Sequence, residues 1–183
     1  MSPIVIAIIV IIALVVIGAV VTFMRRRERE RLQGRFGSEY EHQVEAAGGS
    51  RAKAEAELLK REKRVEKFDI KPLAPEQRER FQDDWQAVQA KFVDDPERSV
   101  AQADALLAEV MKARGYPVED FEQRAGDLSV DHPELVKNYR AAHEIARRHA
   151  HGEAGTEDLR SAFIGYRALF EELLGADQRE LAH

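Results

Sequence analysis

Six histidines and one dense polar stretch are where this chain could do chemistry. His149 and His151, with His143 upstream, have the composition of a metal site. A helical pair facing one metal takes i, i+4 spacing, as in HExxH, and 143 to 149 does not match it. His149 and His151 also sit beside Gly152, where a helix should end, which predicts solvent-facing or C-capping side chains. His143 follows Tyr139 by one turn and reads as a hydrogen-bonded histidine at the edge of a core. Asp127, Ser129, Asp131 and His132 crowd into six consecutive positions, which invites a Ser/His/Asp reading. A nucleophile and its base are normally assembled from distant parts of a fold, and no GxSxG elbow accompanies these four. Asp131 is better explained as a helix N-cap, with Glu134 completing a capping box and Val130 and Leu135 in the staple positions.

No P-loop, GxGxxG or EF-hand pattern occurs. The chain has no cysteine, which excludes thiolate catalysis, zinc ribbons and disulfide frameworks. The sequence therefore assigns no catalytic, metal-binding or cofactor-binding residue. An enzyme remains the runner-up only if acids and His around 120–143 converge in three dimensions.

The elements that must position these residues begin with an apolar run. Residues 4–24 contain no charged side chain and are followed at once by Arg25-Arg26-Arg27. In lipid such a run can only be a helix, because the backbone must satisfy its own hydrogen bonds. A cleaved signal peptide would need a charged n-region, a shorter apolar core and a cleavage site. The run thus predicts an uncleaved anchor. Arg25, Arg26, Arg27, Arg29 and Arg31 form a collar suited to anionic headgroups, and their placement predicts an outside N-terminus and a cytoplasmic C-terminal domain.

Charge is uneven. Residues 25–31 hold five Arg against two Glu, whereas residues 74–183 hold fourteen basic against twenty-three acidic side chains. The acidic distal part argues against a nucleic-acid partner, which needs a basic face.

After the anchor the pattern is all-α. The first helix is expected to run through Leu32 and stop at Gly34. Ser38 with Glu41 then has the spacing of a capping box. A charged arm follows, with Ala54, Leu58, Val65 and Phe68 as a thin stripe, which suggests a solvated helix or a coiled-coil-like contact. Pro72 and Pro75 mark the boundary of a bundle. Phe81, Trp85, Val88 and Phe92 repeat on one helix, and Val100, Ala103, Leu107 and Val110 on the next. A short helix is expected over 117–125. Tyr139 marks the face of the next long helix, and Thr156 should cap the last one, whose core face carries Phe163, Tyr166 and Phe170. The predicted organisation is an anchor and collar over 1–32, an arm over 33–72, a helical bundle over 73–175 and a tail over 176–183.

The run RGYPVEDFEQRAGDLSVDHPELVKNYRAAHEIA, over 114–146, resembles an uncharacterised family of bacterial single-pass membrane proteins, as does DIKPLAPEQRERFQDDWQAVQAKFVDDP before it. The resemblance extends from the anchor to the final helix and implies a bacterial inner membrane location, with no activity or site residue to carry over. The expected function is a protein-binding or scaffolding module held at the bilayer. A structural envelope component that forms homo-oligomers through residues 50–68 is a further alternative.

Overall fold

The computed structural model describes residues 3–180, apart from the side chains of residues 3, 5–10 and 176–180. Among the described residues there are eight helices and no strand. They are α1 (Pro3–Phe36), α2 (Ser38–Ala46), α3 (Arg51–Val65), α4 (Pro75–Lys91), α5 (Pro96–Arg114), α6 (Phe121–Asp131), α7 (Pro133–Ala150) and α8 (Thr156–Glu180). The expected tail therefore begins inside a helix, since α8 continues past Gly175.

The main core lies among α4, α5, α7 and α8. α8 packs between α5 and α7, while α4 rests on α5. Phe81, Trp85, Val88, Tyr139, Phe163, Tyr166 and Phe170 are buried as their stripes predict, and Phe92 is half-buried against the same core. The helix ends follow simple local chemistry. The Asp95 carboxylate accepts the Arg98 backbone N–H at 3.0 Å and starts α5, with Pro96 in its first turn. Gly115 ends α5 at φ 98°, and a Cβ there would run into the Asp69 carbonyl oxygen. Only glycine meets both demands.

A second, smaller core joins the arm to the bundle. Leu32, Phe36, Tyr40, Leu58, Val65 and Val130 close on one another there. The stripe Ala54, Leu58 and Val65 is thus buried inside the chain, with Phe68 half-buried. The arm is not a solvated helix. It packs against α2 and α6.

Several expected boundaries are corrected. α1 runs through Gly34 and ends at Gly37, whose φ of 51° suits a residue without a side chain. Gly37 is also the N-cap of α2, so Ser38 is already helical and no side chain caps that helix. The Ser38–Glu41 capping box does not form. The short helix starts four residues later than expected, at Phe121, because the Asp120 carboxylate accepts the Gln123 N–H at 2.9 Å. It then continues to Asp131. The break falls at His132, since the residue before a proline resists helix, and Pro133 opens α7. Asp131 is therefore the last residue of α6 and not an N-cap, so its capping box with Glu134 is not formed. Nor do Val130 and Leu135 make a staple: Val130 lies in the small core and Leu135 against the large one. Thr156 is likewise the first helical residue and not the cap. The Asp158 carboxylate accepts the Gly155 N–H at 2.8 Å instead.

Candidate functional site

Two features of the fold have functional potential: a chain of ion pairs where the arm meets the bundle, and a groove between α4 and α8. The ion pairs arise because charged residues occupy inward positions. Arg61 and Glu62 fall between Leu58 and Val65 on the buried side of α3, and Glu39 precedes the buried Tyr40 on α2. Glu39 is 2% exposed. Its carboxylate accepts Arg140 Nε at 3.1 Å, Arg140 Nη2 at 2.9 Å and Arg61 Nη1 at 3.0 Å. Arg140 also reaches Glu122, and Arg61 also reaches Gln43. Burial works against the Arg140 cation, but its two carboxylate partners hold its pKa above the ordinary value. Gly126 makes room for this arrangement, because a Cβ there would sit 3.2 Å from Arg61 Nε.

Asp127 is fully buried and bonded to Arg64 through one oxygen, while its second oxygen has no hydrogen-bond partner among the described residues. Burial pushes its carboxyl up, with Arg64 opposing. Nearer the N-terminus, Glu62 accepts both Arg31 Nη1 and Nη2, at 3.0 and 2.8 Å, and pairs with Arg35 at 3.1 Å. Arg29 donates to Glu55 at 2.7 Å. Arg29 and Arg31 are thus turned to acids of α3, Arg26 pairs with Glu30 on its own helix at 3.1 Å, and Arg25, Arg26 and Arg27 are all exposed.

The residues that suggested catalysis do not converge. The Ser129 hydroxyl donates to the Gly126 carbonyl of its own helix at 2.6 Å. Asp131 accepts the Tyr116 hydroxyl at 3.3 Å, and His132 lies 3.8 Å from Glu172. His143 stacks on Phe121 at 3.6 Å, and burial lowers its pKa. His149 Nδ1 meets the Ala154 carbonyl and His151 Nδ1 the Arg147 carbonyl, both at 2.8 Å, which ties them to a helix end. Among the described residues, no three His, Asp or Glu side chains group as a metal site would require.

The groove is the more accessible feature. Trp85 stacks between Phe163 and Phe170 at centroid distances of 5.1 and 4.5 Å, and Phe92 continues the row 4.9 Å from Phe163. These rings bridge α4 to α8 and form the floor of two adjoining hollows of about 620 and 450 Å³. Gln89 and Arg167 border both hollows, so they form one trough along α8. At one end Val93 and Ile164 stand 88% and 59% exposed. The Trp85 indole N–H, at the floor, has no acceptor among the described residues. An apolar floor with Gln and Arg along its edges has the anatomy of a protein-binding surface.

Among the described residues, no helix is long and apolar enough to cross a membrane. Of the run at residues 4–24, the side chains at 5–10 lie outside the described residues, and those described are all exposed. Comparison with protein-family models, with curated proteins and with solved structures finds no match.

The ionic chain had a signal in the sequence, namely charges at stripe positions 61 and 62, but their partners on α1, α2 and α7 did not. The groove had none, because the residues that floor it also read as ordinary core.

Proposed function

We propose that this chain is a membrane-anchored helical domain that binds a helical segment of a protein partner along the α4–α8 groove. The observation that carries this reading is the groove itself: an aromatic floor, polar edges, and Val93 and Ile164 left open to solvent. Its stretch from Thr156 to Gly175 on α8 is roughly 28 Å long at 1.5 Å per residue, enough for several turns of an amphipathic helix. Exposed apolar side chains grouped in this way favour a partner over water.

The anchor is residues 4–24, the first part of α1. As a helix they span about 31 Å, against about 30 Å of hydrocarbon. Their described side chains are exposed, an arrangement that lipid would relieve. The arginines that follow favour a cytoplasmic side for the bundle, and the resemblance to bacterial single-pass proteins supports an inner-membrane location.

A photoreactive residue at Ile164 in the full chain tests the binding reading in cells. A discrete cross-linked product is expected, lost when Val93→Glu is added. An identical product pattern from a probe at the exposed Lys112, on α5, would overturn it.

A further inference from the structure

We infer that the α2–α3 turn and the first turn of α3 form a second lipid-contact site, in which Arg51 and Lys53 join Arg25, Arg26 and Arg27 on anionic headgroups. The inference rests on the anchor proposed above and extends it to a part of the chain far from the apolar run.

Helix register carries the argument. Arg29 pairs with Glu55 and Arg35 with Glu62, offsets of 26 (55 minus 29) and 27 (62 minus 35). α1 and α3 therefore run side by side in the same direction, and Arg31 reaches one turn further to the same Glu62. α2 folds back between them. Its Tyr40 reaches Glu55 at 2.9 Å, and its Glu39 and Gln43 both reach Arg61. The chain thus leaves the arginine collar, turns at Gly37, and returns to the same level at residues 47–50. With the same offset, Arg51 lies level with Arg25 and Lys53 with Arg27. That level immediately follows Met24, the last residue of the apolar run, and so corresponds to the headgroups of the proposed anchor.

Charge at this level has one dominant sign. Residues 25–28 and 45–53 contain five basic side chains against Glu28 and Glu45; Glu28 is bonded to Arg31 at 2.8 Å, and Arg26 to Glu30 at 3.1 Å in a pair that leaves the Arg26 side chain 81% exposed. Arg51 and Lys53 are exposed. Their position also breaks a local rule. The first turn of a helix favours acids, yet α3 has no acidic residue there, two basic ones instead, and an N-cap Ser50 whose side chain makes no capping bond. Such departures concentrate at functional or strained sites, and an anionic surface would compensate both cations. Three helices locked by ion pairs hold this end in place, so the contact needs no rearrangement.

The test uses the full chain in nanodiscs of phosphatidylcholine, with or without phosphatidylglycerol. Nitroxides are placed singly at Ala52→Cys and, as a control at the far end of α3, at Glu66→Cys. A nickel-chelating lipid should relax the label at 52 several-fold more than the label at 66. The contrast should grow with phosphatidylglycerol, and R51Q/K53Q should remove that growth. Equal relaxation at both positions, or a contrast indifferent to lipid charge, would overturn the inference. The anchor is scored separately by carbonate extraction of membranes. Release of the chain there would overturn the anchor, whereas retention with equal relaxation would overturn only the second contact.

Discussion

Cutting Glu39 back to alanine should cost the folded chain about 3 kcal/mol. The carboxylate is 2% exposed and accepts three hydrogen bonds, two from Arg140 and one from Arg61. Both arginine side chains are themselves mostly buried, at 12% and 13% exposure. Removing the shared anion leaves two buried cations facing each other. Breaking a buried ion pair typically costs about 3–5 kcal/mol. The lower end applies here, because Arg140 keeps Glu122 and Arg61 keeps Gln43. For a chain of this size 1 kcal/mol moves Tm by roughly 2–4 °C, so the shift should be roughly 6–12 °C. Thermal melting of the detergent-solubilised full chain by circular dichroism measures it. Glu41→Ala, exposed on the same helix, is the control. A shift no larger than the control's would refute the reasoning. A further variant tests the same logic: E39L/R61M/R140L, which removes all three charges together, should melt closer to the parent than Glu39→Ala does.

Trp85→Ala should lower stability by roughly 3–5 kcal/mol, since the indole fills the space between Phe163 and Phe170; an unchanged melt would mean that the ring is not a core member. His143 has a folded-state pKa below its ordinary 6.5, so between the two values the unfolded chain binds a proton that the folded chain refuses. Stability should therefore fall as pH drops through 6.5, and His143→Gln should flatten that part of a denaturation-versus-pH profile; an undiminished slope would assign it elsewhere. For topology, Ser2→Cys should react with a membrane-impermeant thiol reagent in intact cells and Ser50→Cys should not. The reverse pattern would invert the orientation.

The fold class and most of the main core were legible in the sequence. A helix repeats every 3.6 residues, so its buried face shows in the spacing of Trp85, Val88, Phe163, Tyr166 and Phe170. The caps at Ser38, Asp131 and Thr156 were each misplaced by one position, since the chain enters these helices through its backbone conformation, and at Gly37 and His132 no side chain makes the capping bond. Gly37, His132 and Gly155 took those places, and Asp120 set the start of α6.

By itself, the sequence determined an all-α chain with an uncharged first segment, no thiol chemistry and amphipathic helices to build one core. Only the tertiary structure decided that the arm packs onto the bundle through a second core and through Glu39, Glu62 and Asp127. Such pairing joins residues as far apart as 39 and 140, and a charge in a sequence carries no mark of the distant charge that will neutralise it. The groove was decided the same way. Residues on α4 and α8 each announce that they are buried, but the gap between two helices belongs to neither.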